Sequence, residues 1–191
     1  MSNFSNHIKN SITFRKKLKK LETNVNLVIQ KFYHCLLSNN KIFICGNGGS
    51  AADAQHISTE FLVRLNPKIN RKSFPLICLG NDMTYLTACS NDLGFDKVFS
   101  RNLSGLHKKG EENLLVCLST SGNSKNIIDV LKLSKKLGVF SFGFFGGNGG
   151  KAKKLASKSV IIPSKNTAYI QEEHMFIFHY VLNEVEKKLL K

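Results

Sequence analysis

The sequence contains no CxxC pair, no proline-rich linker and no apolar run as long as a membrane span. A transmembrane helix needs about 20 consecutive apolar residues, so we expect no membrane partner. The N-terminal stretch MSNFSNHIKN also lacks the basic and then apolar order of a secretory signal. These absences together predict a cytoplasmic protein.

The cysteines are few and do not form a recognisable pattern. There are 5 of them, an odd number, and Cys45, Cys78 and Cys117 fall inside apolar runs that resemble strands. A disulfide framework would need regular pairs, and a zinc site would need close ligand spacing. We therefore expect buried free thiols in a reducing compartment.

Acidic residues are scarce. The chain has 13 aspartates and glutamates and 28 lysines and arginines, which gives a net charge of +15. Such an excess is compatible with nucleic acid or with an anionic substrate. Lysines greatly outnumber arginines, whereas bidentate recognition of bases and phosphates favours arginine. We therefore interpret the excess as a solvated lysine-rich surface and expect no nucleic-acid partner.

Five short apolar runs, each ending in small or polar residues and followed by a helical pattern, organise the middle of the chain. Continuous apolar runs of this kind are typical of strands buried on both faces of a parallel sheet. They predict a single α/β domain over residues 1–191, with a five-stranded parallel doubly wound sheet flanked by helices. The runs are KIFIC (41–45), FPLICL (74–79), NLLVCLS (113–119), VFSFGFF (139–145) and SVIIP (159–163).

Each end of the chain has apolar residues at every third or fourth position, over 11–37 and over 168–190. This spacing predicts one long amphipathic helix at each end. Two such helices expose more apolar surface than one small sheet covers, so we expect a homotetramer. In this interpretation, residues 1–38 serve oligomerisation and residues 41–191 form the ligand-binding core.

Two loops at the ends of predicted strands are candidates for binding a phosphate. GNGGSAADA follows the first strand and TSGNSKN follows the third, and each opens a helix. Backbone N–H groups and the helix dipole favour an anion there. The hydroxyls of Ser119, Thr120, Ser121 and Ser124 fit this hypothesis, although ordinary turn and cap chemistry uses the same residues. GNGGSA lacks the spacing of a dinucleotide fingerprint, and no Walker-type loop follows a strand.

His56 and Glu60 lie four positions apart on the helix that the first loop opens, so they share one face. Such a pair can hold a metal, can act as a base with its orienting partner, or can be an ordinary exposed pair. On the last predicted helix, His174 and His179 lie among apolar residues, and a histidine in such surroundings is more often a core residue than a ligand. Gln171 and His179 are nonetheless candidates for facing a cleft.

Four ordered motifs, GNGGSAADAQHISTEF, LTACSNDLGFDKVFSR, LSTSGNSKNI and TAYIQEEH, resemble those of the sugar isomerase (SIS) domain family. The similarity runs from about residue 41 to the end of the chain. It is strongest to family members that isomerise a seven-carbon sugar phosphate. The resemblance implies an aldose–ketose isomerase that converts sedoheptulose 7-phosphate to D-glycero-D-manno-heptose 7-phosphate, the first step towards activated heptose for bacterial surface polysaccharide.

Carried over by position, the resemblance also implies the site residues. It implies Glu60 as catalytic base and His179 as its acid–base counterpart, with one zinc ion per subunit. The implied zinc ligands are His56, Glu60, Gln171 and His179. The implied substrate contacts are Asn47, Gly48, Gly49, Ser50, Glu60, Asn91, Asp92, Ser119, Thr120, Ser121, Ser124 and Gln171.

Two features qualify this expectation. Tyr169 stands where many relatives carry an arginine, which concerns contacts near the sugar. Gln171 and His179 are eight residues apart, about 12 Å along a straight helix, so we expect neighbouring subunits to share the metal ligands.

Non-catalytic members of the same family are an alternative, including a regulator that binds the replication initiator. The presence of both Glu60 and His179 favours the enzyme. A sugar-phosphate sensor attached to a DNA-binding domain would need a helix-turn-helix segment, and none is left once the core is assigned.

Overall fold

The computed structural model describes residues 3–190, so Met1, Ser2 and Lys191 of the predicted domain lie outside the described residues. The strands are β1 (Ile42–Gly46), β2 (Leu76–Cys78), β3 (Leu114–Ser119), β4 (Phe140–Gly146) and β5 (Lys158–Ile162). The helices are α1 (Phe4–Lys16), α2 (Glu22–Leu37), α3 (Gly49–Leu62), α4 (Met83–Leu93), α5 (Val98–Leu106), α6 (Lys125–Leu137) and α7 (Thr167–Leu189). The predicted α/β architecture is confirmed.

The sheet is parallel throughout, in the order β2-β1-β3-β4-β5. β1 and β3 are neighbours, with Cys45 paired to Cys117 and Gly46 to Leu118. Every residue of both strands is buried, which explains their continuous apolar sequences. Because the two strands end at the same edge, the two candidate loops leave the sheet side by side.

Helices cover both faces of the sheet, and alternate residues of β1 point to opposite faces. Ile44 packs on one side with Phe32 of α2, Phe61 of α3 and Phe178 of α7. The other side is formed by Phe43 and Cys45 with residues of α5 and α6. α3 and α7 therefore lie on the same face, which brings the helices that carry the candidate reactive residues together.

The N-terminal helical segment is interrupted, so the single helix predicted for residues 11–37 is wrong in detail. A 3-10 turn over Lys17–Leu21 separates α1 from α2. The turn carries a run of lysines around Leu18, whose like charges disfavour a regular helix, while Leu18 itself is buried. α2 buries six residues in the core, whereas α1 buries none.

The remaining expectations about solubility and thiols can be checked directly. No helix within residues 3–190 is long and apolar enough to cross a membrane. All five cysteines are free thiols, as predicted, and Cys78 is the one that is only partly buried. Burial raises the pKa of Cys35 to about 12, which keeps that thiol protonated and unreactive.

Candidate active site

The loop after β1 and the start of α7 meet at Gly49. A Cβ atom at this position would lie 2.0 Å from Nε2 of Gln171, so a larger residue here would force the Gln171 side chain to move. The preceding Gly48 has a positive φ of 53°, which favours glycine as the residue that opens α3. The glycines of GNGG therefore allow Gln171 to approach the first loop directly.

Three candidate metal ligands converge beside this contact. Nε2 of His56 lies 3.1 Å from Oε1 of Glu60, and Nε2 of His179 lies 3.5 Å from the same oxygen. One potential ligand atom from each of the three residues falls within 4.8 Å of the others. The two imidazole rings stand edge to face at 5.7 Å. The i, i+4 pair on α3 is thus joined by a histidine from the last helix.

The donor set suits a zinc ion. Two imidazole nitrogens and a carboxylate oxygen are common zinc ligands in proteins, and three protein ligands leave a position for substrate. Oε2 of Glu60 is buried without a hydrogen-bond partner among the described residues, which indicates that the carboxylate is not satisfied by protein groups alone. The residues present therefore fit the metal that the resemblance implies.

One chain brings His56, Glu60 and His179 together, because α7 packs against α3. The expectation that neighbouring subunits share the ligands arose from the separation of Gln171 and His179 along α7, and it stays a prediction. Gln171 and His179 line the same groove, of about 590 Å³. Its walls are Arg15, Asp53, Ala168, Gln171, Glu172, Met175, Phe176 and His179.

The loop after β3 combines turn chemistry with free hydroxyls. Oγ of Ser119 accepts a hydrogen bond from the Gly122 amide at 3.1 Å, and Oγ of Ser121 accepts one from the Asn123 amide at 3.2 Å. Ser124 precedes α6 without a side-chain cap bond. Two of the hydroxyls therefore shape the loop as acceptors, and their O–H groups can still donate to an anion.

The two loops are tied to each other by a pair of amides. Asn47 and Asn126 exchange two side-chain hydrogen bonds, each 2.9 Å long. Asn126 lies at the start of α6 and is almost fully buried. Thr120 and Ser121 also line a cavity of about 610 Å³ with the loops that follow β4 and β5. The first loop, the serine loop and these cavities thus form one continuous edge of the molecule.

Other predicted contact residues differ in their exposure. Asn91 and Asp92 are exposed at the end of α4, where Nδ2 of Asn91 donates to Oδ1 of Asp92 at 2.9 Å. Ser50 is buried in the first turn of α3. His174 is fully buried, and this burial lowers its pKa to about 4, as a core residue would behave. The roles assigned by resemblance to Ser50, Asn91 and Asp92 stay predictions.

Sequence reasoning missed three residues of this region, Asp53, Asn126 and Arg15. Asp53 lies one turn before His56, a spacing that could have drawn attention to it. Burial raises the pKa of Asp53, while the charge of His56 opposes the shift. Arg15 gives no signal in the sequence, because it reaches the groove only through tertiary packing of α1.

Comparison with known proteins places this geometry in a family. The SIS domain pattern matches residues 4–144. A phosphoheptose isomerase of Synechocystis sp. is 41% identical over 169 residues, which cover 88% of this chain and 83% of that protein. The chain belongs to the phosphoheptose isomerase family.

Solved structures of phosphoheptose isomerases agree with this assignment. The protein from Francisella tularensis superposes with a TM-score of 0.88 at 26% identity, covering 96% of both chains. The protein from Neisseria gonorrhoeae gives a TM-score of 0.85 at 31% identity, covering 96% of this chain and 97% of the other. The described fold therefore matches that of solved phosphoheptose isomerases over 96% of this chain.

Proposed function

We propose that this protein is an aldose–ketose isomerase that converts sedoheptulose 7-phosphate to D-glycero-D-manno-heptose 7-phosphate. The observation that carries the proposal is the position of Glu60 between His56 and His179, the last of which lines the same groove as Gln171. The assignment of this chain to the phosphoheptose isomerase family supports the substrate class.

The reaction moves a proton between two adjacent carbons of the open-chain sugar. Glu60 removes a proton from C1 of the ketose while His179 donates a proton to the O2 carbonyl, which gives an enediol with a C1–C2 double bond. Return of a proton to C2 and loss of the O1 proton then produce the aldehyde. A base at carbon and a donor at oxygen are the groups that this chemistry requires. His179 lies 3.5 Å from Glu60, so both can reach neighbouring atoms of one substrate.

We infer that His56, Glu60, Gln171 and His179 would hold a zinc ion, one per subunit. When bound, the ion would stabilise negative charge that develops on the sugar oxygens. The contribution of the chain itself is to fix the two imidazoles and the carboxylate within 4.8 Å of one another. The side chain of Gln171 approaches the first loop closely at Gly49.

The serine loop is the proposed phosphate site. Ser121 is exposed, Thr120 and Ser124 are half-buried, and the loop opens α6, whose N-terminal dipole favours an anion. Charge-assisted hydrogen bonds to a phosphate are stronger than those between neutral groups. The loop would position the far end of the sugar and so orient C1 and C2 at Glu60. Asn91 and Asp92 are proposed to contact the sugar hydroxyls.

We further propose a homotetramer that works in the cytoplasm and supplies activated heptose for a surface polysaccharide. Phe4, Ile8 and Ile12 of α1 are exposed, as are Phe176 and Tyr180 of α7. Such apolar surface on two neighbouring helices is typical of a subunit interface. We expect light scattering at micromolar concentration to give the mass of four chains, and a stable monomer would contradict the assembly.

The experiment that tests the activity is incubation of the purified protein with sedoheptulose 7-phosphate, followed by NMR of the sugar carbons. We expect the aldose phosphate to appear until equilibrium is reached. The alternative, a non-catalytic SIS regulator that binds the replication initiator, predicts no conversion. If the protein converts neither sedoheptulose 7-phosphate nor any other ketose phosphate tried, the enzyme proposal is wrong.

A further inference from the structure

A buried carboxylate on α7 is held by an arginine from the opposite end of the chain. The Glu173 side chain is 1% exposed, and its burial raises its pKa. Nε of Arg15 donates to both carboxylate oxygens, at 3.0 and 3.1 Å. A carboxylate removed from water is costly unless an opposite charge and hydrogen bonds compensate it. Arg15 therefore stabilises the part of α7 that lies between Gln171 and His179.

Aromatic contacts fix α1 in the position that allows this pair to form. The Tyr169 ring lies 5.8 Å from the His7 ring and 5.7 Å from the Phe14 ring. The guanidinium carbon of Arg15 lies 4.6 Å from the centre of the Phe176 ring. Tyr169, at the position where many relatives carry an arginine, thus anchors α1 and brings Arg15 to the groove.

Glu173 accepts hydrogen bonds from only one of the three guanidinium nitrogens of Arg15. Its Nε makes the bonds to the carboxylate, and its terminal amino groups have no hydrogen-bond partner among the described residues. The side chain is 45% exposed and lines the groove that also contains Asp53, Gln171 and His179. The ion pair with Glu173 and the contact with the Phe176 ring already restrict the guanidinium. It therefore loses little further conformational entropy when its remaining donors bind a ligand.

We propose that Arg15 is a substrate-binding residue of this groove and that its terminal amino groups donate hydrogen bonds to oxygens of the sugar phosphate. This inference rests on the proposed function. A cation in the groove that His179 also lines suits a substrate that gains negative charge on its oxygens during isomerisation. α1 would then be part of the active site as well as a surface for assembly.

The test must separate substrate binding from stability, because Arg15→Met alone would leave Glu173 buried without a partner. The double variant Arg15→Met with Glu173→Gln removes both charges and keeps both side chains near their native size. We expect it to fold, with an unfolding midpoint close to that of the native protein. Its kcat/KM for sedoheptulose 7-phosphate should fall by about 10-fold or more, mainly through KM, as expected when a charged hydrogen bond to the substrate is lost.

Two controls accompany the double variant. Glu173→Gln alone retains Arg15 and should stay closer to native kinetics than the double variant. Lys16→Met removes a charge from the same turn of α1 outside the groove and should leave the kinetics unchanged. Calorimetry with sedoheptulose 7-phosphate should give weaker binding to the double variant alone.

The outcomes distinguish this inference from the proposed function. A folded double variant with native KM and native affinity would overturn the role of Arg15 and leave the isomerase intact. A native protein that neither converts nor binds sedoheptulose 7-phosphate would remove the proposed function, and the Arg15 inference would fall with it.

Discussion

The loops that follow β1 and β3 leave the same edge of the sheet, but the chemistry they present differs. The first loop opens α3, which carries His56 and Glu60, and these meet His179. The serine loop opens α6 and offers hydroxyls and amides, with no carboxylate or imidazole between Ser119 and Ser124. In the proposed function, these two strand–loop–helix units divide the work: the first carries the residues for the chemical step, and the second positions the phosphate.

The largest effect on turnover is expected from a change at Glu60, on the helix that follows the first loop. Glu60→Gln keeps the shape of the side chain but cannot accept a proton from carbon. We expect kcat to fall by roughly 100-fold or more, the usual contribution of a positioned general base, while the protein still folds and binds the sugar phosphate. The measurement is turnover together with exchange of the C1 hydrogen in deuterated water. Native exchange in the variant would assign the base to another residue.

The next largest effect is expected on zinc content, which should depend on the residues of α3 and not on those of the serine loop. Protein purified without chelators should contain zinc. His56→Gln should weaken zinc binding by at least about 10-fold, since even the loss of an outer-shell partner has effects of that size. Atomic absorption and competition with a coloured chelator measure this directly. Ser124→Ala, in the serine loop, is the matched control. A loss of zinc in that variant would contradict the assignment of metal binding to α3 and phosphate binding to the serine loop.

Much of the fold was predictable because buried parallel strands have continuous apolar sequences. The predicted run 113–119 corresponds to β3 at Leu114–Ser119, and the predicted helix 168–190 to α7 at Thr167–Leu189. α2 and α3 are likewise marked by their apolar spacing. The 3-10 turn at Lys17–Leu21 was missed because the apolar period continues through it.

The site was only partly predictable from the residues. The spacing of His56 and Glu60 indicated a shared helix face and left three interpretations of the pair open. The structure adds that His179 of α7 lies beside it. The separation of Gln171 and His179 along α7 gave no information about His56 and Glu60, which come close to His179 only because α3 packs against α7. Arg15 and Glu173 are 158 residues apart in the chain, and no local pattern connects them.

At the serine loop, we expect an effect on substrate affinity rather than on the chemical step. Replacing Ser119, Ser121 and Ser124 by alanine removes hydroxyl donors for the phosphate. KM should rise by about 10-fold or more, since each hydrogen bond to a charged group contributes about 1.5 to 3 kcal/mol, and kcat should change less. Ser104→Ala on α5 is the control. Unchanged kinetics in the triple variant would place the phosphate elsewhere.

The smallest effect on turnover is expected on the core side of α7, five residues before His179. His174 is buried and its pKa is lowered from 6.5 to about 4. As the pH falls below 6.5, the unfolded chain takes up a proton at this residue and the folded protein does not. The neutral His174 side chain therefore makes its full contribution to the free energy of unfolding above about pH 6.5. This contribution is lost as the pH falls towards about 4. The loss should reach roughly 3 kcal/mol.

Denaturant unfolding between pH 7.5 and 4.5 measures this dependence. His174→Leu, which removes the titrating group from the core, should flatten that part of the curve and leave turnover at pH 7.5 close to native. His34→Gln, a change at an exposed histidine on α2, should leave the curve as it is. If His174→Leu kept the native pH dependence, the acid sensitivity would have to come from other groups. If it abolished turnover without unfolding the protein, the separation between the core face and the groove face of α7 would be wrong.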